Sequence, residues 1–295
     1  MDGVIVLDKP AGWTSHDAVA KVRRATRASK VGHLGTLDPM ATGVLPLVIG
    51  KATRLAQFFS TDRKAYQATV RFGYATTTYD REGDPTSEPA AIALDRRQLE
   101  SWLDRYRGPI EQVPPPVSAK KIGGVRAYQL ARQDQPVALP PVAVTIHRLD
   151  LLALREAEAE ADLFVECSTG TYIRSIAHDL GRDAGCGAHL TALRRTASGP
   201  FTLAQAVTMD RLIALASAGD LPEVLVPAAD LLPNVPAHEV DELGALQIRQ
   251  GRDFRVSPFR VAPGVRLVKA VDRTGELVAV GEAVLPHLFH PIVVF

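Results

Sequence analysis

Cysteine is nearly absent: 295 residues include only Cys167 and Cys186, too few for a disulfide framework or a four-cysteine zinc site. No stretch approaches the roughly 18 uninterrupted apolar residues of a membrane span. The opening MDGVIVLDKP carries Asp2 and lacks the basic start and long apolar core of a signal peptide. Together these absences predict a cytoplasmic protein with no membrane partner. Net charge is also missing, since 34 Lys and Arg face 33 Asp and Glu, so bulk electrostatics suggest no polyanionic partner. Aromatics are sparse at 6%. What is present is ordinary for a folded chain, with 46% hydrophobic and 23% charged residues, which excludes extensive disorder. The 22 Gly and 21 Pro predict many turns, and the length suits one large domain plus a small one.

The charge is unevenly spread. Residues 1–64 hold ten basic residues against five acids, and 245–273 hold seven against Asp253 and Asp272. Residues 219–244 hold six acids and no Lys or Arg. Separated basic patches on a neutral chain permit a surface that meets phosphate. No fixed-period repeat appears. Val4–Leu7 reads as a buried strand, and Ser15 as the N-cap of a helix reaching about Arg27. Gly43–Ile49 is a second apolar run. Tyr66, Ala68, Val70 and Phe72 alternate with polar residues, which predicts a half-buried strand. Leu99, Trp102, Leu103 and Tyr106 recur at helical spacing. Strands are predicted over Val142–Leu154 and Ala161–Cys167, and a helix over Tyr172–Asp183. Helices and strands mix without regular βαβ alternation, so the fold class is α+β with a mainly antiparallel central sheet. A boundary is expected at residues 226–236, where Pro227, Pro233 and Pro236 interrupt an acidic stretch. That divides the chain into domains 1–230 and 231–295. The second has a helix at Glu239–Gln250 and a hairpin of Val265–Val271 with Leu277–Val284.

The informative stretch is Gly32-His33-Leu34-Gly35-Thr36-Leu37-Asp38-Pro39-Met40-Ala41-Thr42-Gly43-Val44-Leu45. By itself it is a loop with an Asp-Pro turn running into an apolar strand, and Asp38 reads as a turn carboxylate. It is no phosphate loop, because Ala52 follows Gly50-Lys51 and Leu45 stands where the first glycine belongs. Taken whole, it resembles the catalytic motif of the TruB family of pseudouridine synthases. Four further stretches agree in the same order: Gly3–Trp13 with Lys9-Pro10; Lys64-Ala65-Tyr66 followed by Gly73, Thr76, Thr78 and Asp80; Gln112–Pro115 with Ser118, Lys121, Gly124, Tyr128 and Arg132; and Cys167–Arg174 followed by Asp179-Leu180, Cys186–His189 and Leu193–Arg195. The match is dense over residues 3–205. The terminal module looks like the family's small, β-rich, PUA-type RNA-binding domain.

The resemblance implies isomerisation of uridine 55 in the T-loop of tRNA to pseudouridine. The N-glycosidic bond breaks, the uracil turns, and it rejoins through C5; no atom is gained, so no cofactor or metal is implied. Asp38 then corresponds to the catalytic carboxylate, attacking C1′ or C6 or assisting elimination to a glycal. Tyr66 corresponds to the tyrosine that stacks on the base and assists removal of the C5 proton. Arg174 corresponds to the aspartate's partner, a planar guanidinium that orients a carboxylate. Leu193 and Tyr172 are assigned to the base pocket, and His33 fills the gap left when the base is flipped out of the stack. Lys9, Lys64, Lys120, Lys121, Arg126 and Arg132 are candidates for RNA backbone contacts. The implied enzyme is a monomer acting on tRNA without guide RNA. The alternatives are a guide-RNA-dependent synthase and a non-catalytic tRNA-binding or folding protein. Met40-Ala41-Thr42 and the short C-terminal tail argue against the first, and intact Asp38, Tyr66 and Arg174 against the second.

Overall fold

The computed structural model describes residues 1–60, 63–118, 139–262 and 264–295, together with the backbone of 121–122 and 125–126. Strand β1 (Gly3–Lys9) leads to helix α1 (Ser15–Thr26), then β2 (Val31–His33), β3 (Thr42–Ile49) and β4 (Lys64–Phe72). Helix α2 (Arg96–Asp104) and β5 (Gly108–Gln112) follow, with a short hairpin of β6 (Lys121–Ile122) and β7 (Val125–Arg126). Next come β8 (Val142–Arg155), β9 (Glu160–Cys167), helix α3 (Ile173–Asp183), β10 (Ala188–Ser198) and β11 (Phe201–Thr202). Helix α4 (Met209–Ala218) and β12 (Leu225–Pro227) complete the central unit.

Ten strands form one sheet in the order β12-β1-β3-β10-β4-β9-β8-β5, with β2 on β3 and β11 on β10. All pairs are antiparallel except β10 with β3, where Arg194 and Arg195 face Thr42 and Gly43. The alternation in β4 sends Tyr66, Ala68, Val70 and Phe72 to the core face, as the period-2 pattern requires. There they meet Ala18 and Val22 of α1, Leu99 and Leu103 of α2, Ile176 and Leu180 of α3, and Leu212 of α4.

The terminal segment builds a separate five-stranded sheet, ordered β13 (Ala237–Glu239), β15 (Leu267–Val271), β16 (Leu277–Leu285), β17 (Leu288–Val294) and β14 (Phe254–Arg255), beside helix α5 (Glu242–Arg249). Its Leu277, Val280 and Val293 pack with Val4, Val6, Val44 and Val48 on the opposite face of the central sheet. At about 1.5–3 kcal/mol for each buried aliphatic side chain, that face is expensive to uncover.

Local details depart from the expected ones. The cap of α1 is Thr14, not Ser15; Thr14 and Asp17 form a reciprocal capping box, and Ser15 instead bonds Leu37. Helix α2 stops at Asp104, before Tyr106, whose hydroxyl reaches Asp183. In the terminal module the helix starts at Glu242, because Asp241 caps it and Ala237–Glu239 pairs with β15. Among the described residues no helix is long and apolar enough to cross a membrane.

Candidate active site

Asp38 lies in the connection between antiparallel β2 and β3. Its carbonyl accepts from the Ala41 amide at 3.1 Å, closing a turn in which Pro39 supplies the pre-set φ of the second position. The turn is made by the backbone, which leaves the carboxylate for other work. Its flanking residues are anchored one after another. Buried Arg195 donates to the carbonyls of Gly35, Thr36 and Val44 at 3.2, 3.2 and 2.7 Å. The Ser15 hydroxyl bonds both the amide and the carbonyl of Leu37. Lys9 Nζ donates to the carbonyls of Pro39, Pro10 and Trp13. Gly43, at φ 98°, is where β3 runs against β10; a Cβ there would lie 2.2 Å from the Arg195 carbonyl oxygen. Asp38 is therefore held from both sides on a loop with little freedom, the preorganisation that positioned chemistry needs.

Arg174 stands in the first turn of α3. The capping residue Tyr172 has no side-chain cap of its own; buried Gln112 bonds its amide at 2.7 Å and its carbonyl at 3.0 Å. From that fixed start Arg174 Nη2 donates to Asp38 Oδ1 at 3.1 Å, and Nε lies 2.9 Å from Asp38 Oδ2. The second approach is an ion-pair contact rather than an aligned hydrogen bond, since Nε has no bonding partner along its N–H. The carbonyls of Thr78 and Val117 accept from Nη1 and Nη2 at 3.0 Å each. Arg174 is only 5% exposed, whereas the Asp38 side chain is 33% exposed. The guanidinium is thus buried behind a carboxylate that still reaches open space.

A second carboxylate belongs to this cluster. Asp80 Oδ2 lies 3.4 Å from Arg174 Nη1, and its side chain is 4% exposed. Its Oδ1 accepts from the Thr78 hydroxyl and the Glu82 amide. Sequence reasoning gave Asp80 no role beyond its place in the matched stretch with Thr76 and Thr78. Together with Arg195 and Ser15 it makes up what that reasoning missed. Asp80 and Arg195 gave a signal, each as a member of a matched stretch of the resemblance, whereas Ser15 was legible only as a helix cap.

A pocket of about 210 Å³ is lined by Asp38, Lys64, Tyr66, Tyr172, Arg174 and Leu193, with Thr36, Leu37, Gly170, Thr171 and Ile173. Six expected site residues therefore converge. Tyr66 is 6% exposed. Burial pushes its phenol up to about 12, against the opposing pull of the Arg195 guanidinium to which it is bonded. It is a neutral phenol at physiological pH. Burial also raises the Tyr172 phenol. Lys64 stands at the pocket with Nζ 3.3 Å from the Thr169 hydroxyl.

The remaining expectations fare differently. Lys9 is not a phosphate contact: it is fully buried, its ammonium is engaged by three carbonyls, and burial draws its pKa down to about 8. His33 is outside the pocket lining. It sits at the end of β2 against His16, ring centroids 5.8 Å apart and edge-on, with burial lowering its pKa. The side chains of Lys120, Lys121, Arg126 and Arg132 lie outside the described residues.

This arrangement offers an ionic pair at the wall of a pocket with an aromatic and an aliphatic face, suited to a planar base held beside a carboxylate. Comparison with known proteins identifies the family. Residues 23–173 match the N-terminal domain of the TruB family pseudouridylate synthases, and residues 174–232 match the tRNA pseudouridylate synthase B C-terminal domain. The chain is 58% identical over 294 residues to the tRNA pseudouridine synthase B of Solibacter usitatus (strain Ellin6076), covering all of both chains. It is 42% identical to the tRNA pseudouridine synthase B of Pseudomonas aeruginosa (strain UCBPP-PA14), over 96% of this chain and 92% of that one. Among solved structures, a chain of a Cbf5-Nop10-Gar1 complex superposes with a TM-score of 0.70 at 28% identity, over 97% of this chain and 79% of the other. The chain belongs to the TruB family of pseudouridylate synthases.

Proposed function

We propose that this protein is a stand-alone tRNA pseudouridine synthase that isomerises uridine 55 of the T-loop, acting as a monomer in the cytoplasm without guide RNA. The observation that carries this reading is Asp38 itself, a part-exposed carboxylate fixed by a buried arginine at the wall of a base-sized pocket. Chemistry on a stacked base requires its extraction. The flipped uracil stacks on Tyr66 and contacts Leu193, while Asp38 faces the ribose and base. Arg174 orients that carboxylate. Tyr66 assists departure of the C5 proton after the base has turned. Lys64, at the pocket, meets the RNA backbone, and His33, on the β2 side of the loop, occupies the gap in the stack. The specificity for uridine 55 rests on the family resemblance and on the full-length relatives named for tRNA.

Residues 1–230 form the catalytic unit in this reading, and 231–295 a PUA-like RNA-binding domain. Arg252, Arg255, Arg260, Arg266 and Arg273 of the latter are all exposed, suited to phosphate. A guide-dependent reading has the shared fold of the Cbf5 complex behind it; full-length identity to a tRNA-named relative weighs more. The test is tritium release from an unmodified tRNA transcript carrying C5-tritiated uridine, with purified protein and no other RNA. About one tritium per tRNA is expected. None released, or release only when a guide RNA is added, overturns the reading.

A further inference from the structure

The turn Thr78–Asp80 docks on α3 at two points, one helical turn apart. Arg174 and His178 are four residues apart, so they project from the same face of the helix. Arg174 takes the Thr78 carbonyl and the Asp80 carboxylate. Tyr79, between them, lays its ring flat on His178, with centroids 3.7 Å apart and planes 11° from parallel.

Tyr79 adopts φ 64°, a left-handed conformation that side chains with a Cβ rarely take and that persists only when the surroundings over-determine it. Here the Tyr79 amide donates to the Thr76 carbonyl at 3.2 Å, its carbonyl accepts from Leu190 at 3.1 Å, and the ring is clamped. Glycine is the residue this backbone favours, so the tyrosine ring supplies something that the turn alone does not need. His178 Nδ1 is buried without a partner, so that nitrogen makes no hydrogen bond and the imidazole serves as a stacking surface. Neither ring lines the base pocket.

We propose that Tyr79 and His178 are positioning residues: their stack holds the 78–80 turn against α3, which keeps the Thr78 carbonyl and the Asp80 carboxylate on Arg174 and so orients Asp38. The inference rests on Asp38 being the catalytic carboxylate. It acts through a chain of contacts, from ring stack to turn to guanidinium to carboxylate.

The test uses the full-length protein and single-turnover tritium release at saturating enzyme. Tyr79→Gly suits the backbone and deletes the ring. It should slow the reaction about tenfold to a hundredfold, the scale of a misplaced reacting group, with tRNA affinity unchanged. Tyr79→Phe, which keeps the stack, should restore the wild-type rate. Tyr79→Gly combined with Asp80→Asn should be no slower than Asp80→Asn alone, because both act through Arg174. His178→Ala leaves the turn's sequence intact and should reproduce the loss if Tyr79→Gly does not fold. A wild-type rate in folded Tyr79→Gly or His178→Ala, or effects that multiply with Asp80→Asn, overturns the proposal. Failure of the wild-type protein to release tritium contradicts the function instead.

Discussion

The cleft and the terminal module use charge in opposite ways. In the cleft the ions are buried and committed to one another: Arg174 is 5% and Asp80 4% exposed, and Lys9 and Arg195 are spent on backbone carbonyls. In the terminal module the arginines face water, although Lys269 is buried on the carbonyls of Ala229 and Leu231; Arg266, paired loosely with Glu282, is 86% exposed. Removing one partner from a buried pair leaves a charge without compensation, at about 3–5 kcal/mol, whereas an exposed pair contributes about 0–1 kcal/mol. Single substitutions in the cleft should therefore act on the chemical step and be severe. Those in the module should act on affinity, be individually small, and vary with salt.

The sharpest break is Asp38→Asn. The amide keeps the shape of the carboxylate, and Asp80 still neutralises Arg174, so the fold and tRNA binding survive. Charge at the base is lost, and pseudouridine formation should be abolished while filter binding stays near wild type. Appreciable tritium release by the folded variant would remove Asp38 from the role assigned to it.

Next comes Arg174→Lys, which keeps the charge and loses the fork. A lysine reaches as a point charge and cannot serve Asp38, Thr78 and Val117 together. We expect single-turnover rates about a hundredfold lower, equivalent to about 2.7 kcal/mol. An unchanged rate would show that charge alone suffices.

The module side of the comparison is tested by Arg252→Gln, Arg255→Gln and Arg260→Gln together. Deleting the module is a poor test, because Leu277, Val280 and Val293 cover Val4, Val6, Val44 and Val48. The triple variant should bind tRNA more weakly, with the slope of log affinity against log salt flatter by about 0.7–0.9 for each phosphate no longer neutralised. Its rate at saturating enzyme should match wild type. A slower chemical step would blur the division between the regions.

The smallest effect concerns Lys9. The unfolded chain protonates this amine below its ordinary value of 10.5, but the folded chain only below about 8. Between those values the unfolded state binds more protons, so this group's contribution to stability rises with pH across that window. Urea unfolding at pH 8 and 10 should show that rise in the wild type and lose it in Lys9→Met. The same slope in both proteins would assign it elsewhere.

Much of the fold was legible because β4 and β3 carry strong local patterns: alternation in one, an unbroken apolar run in the other. Helix ends were less so. Thr14 and Ser15 are both competent caps, and only tertiary contact with Leu37 assigns the second to the loop. Asp38, Tyr66 and Arg174 were legible through resemblance, not through pattern. Asp80 was legible only as a member of a matched stretch, because nothing local marks an Asp as buried and its burial depends on α3, which begins more than ninety residues later. Lys9 misled for the same reason: charge marks a surface residue on average, and three converging carbonyls cannot be read from spacing.

The most direct test of the whole assignment is the position of the product. Purified wild-type protein, incubated with an unmodified tRNA transcript and no guide RNA, should place pseudouridine at position 55 and nowhere else. A transcript with cytidine at that position should remain unmodified. Pseudouridine at another site, or none without a guide, would contradict it.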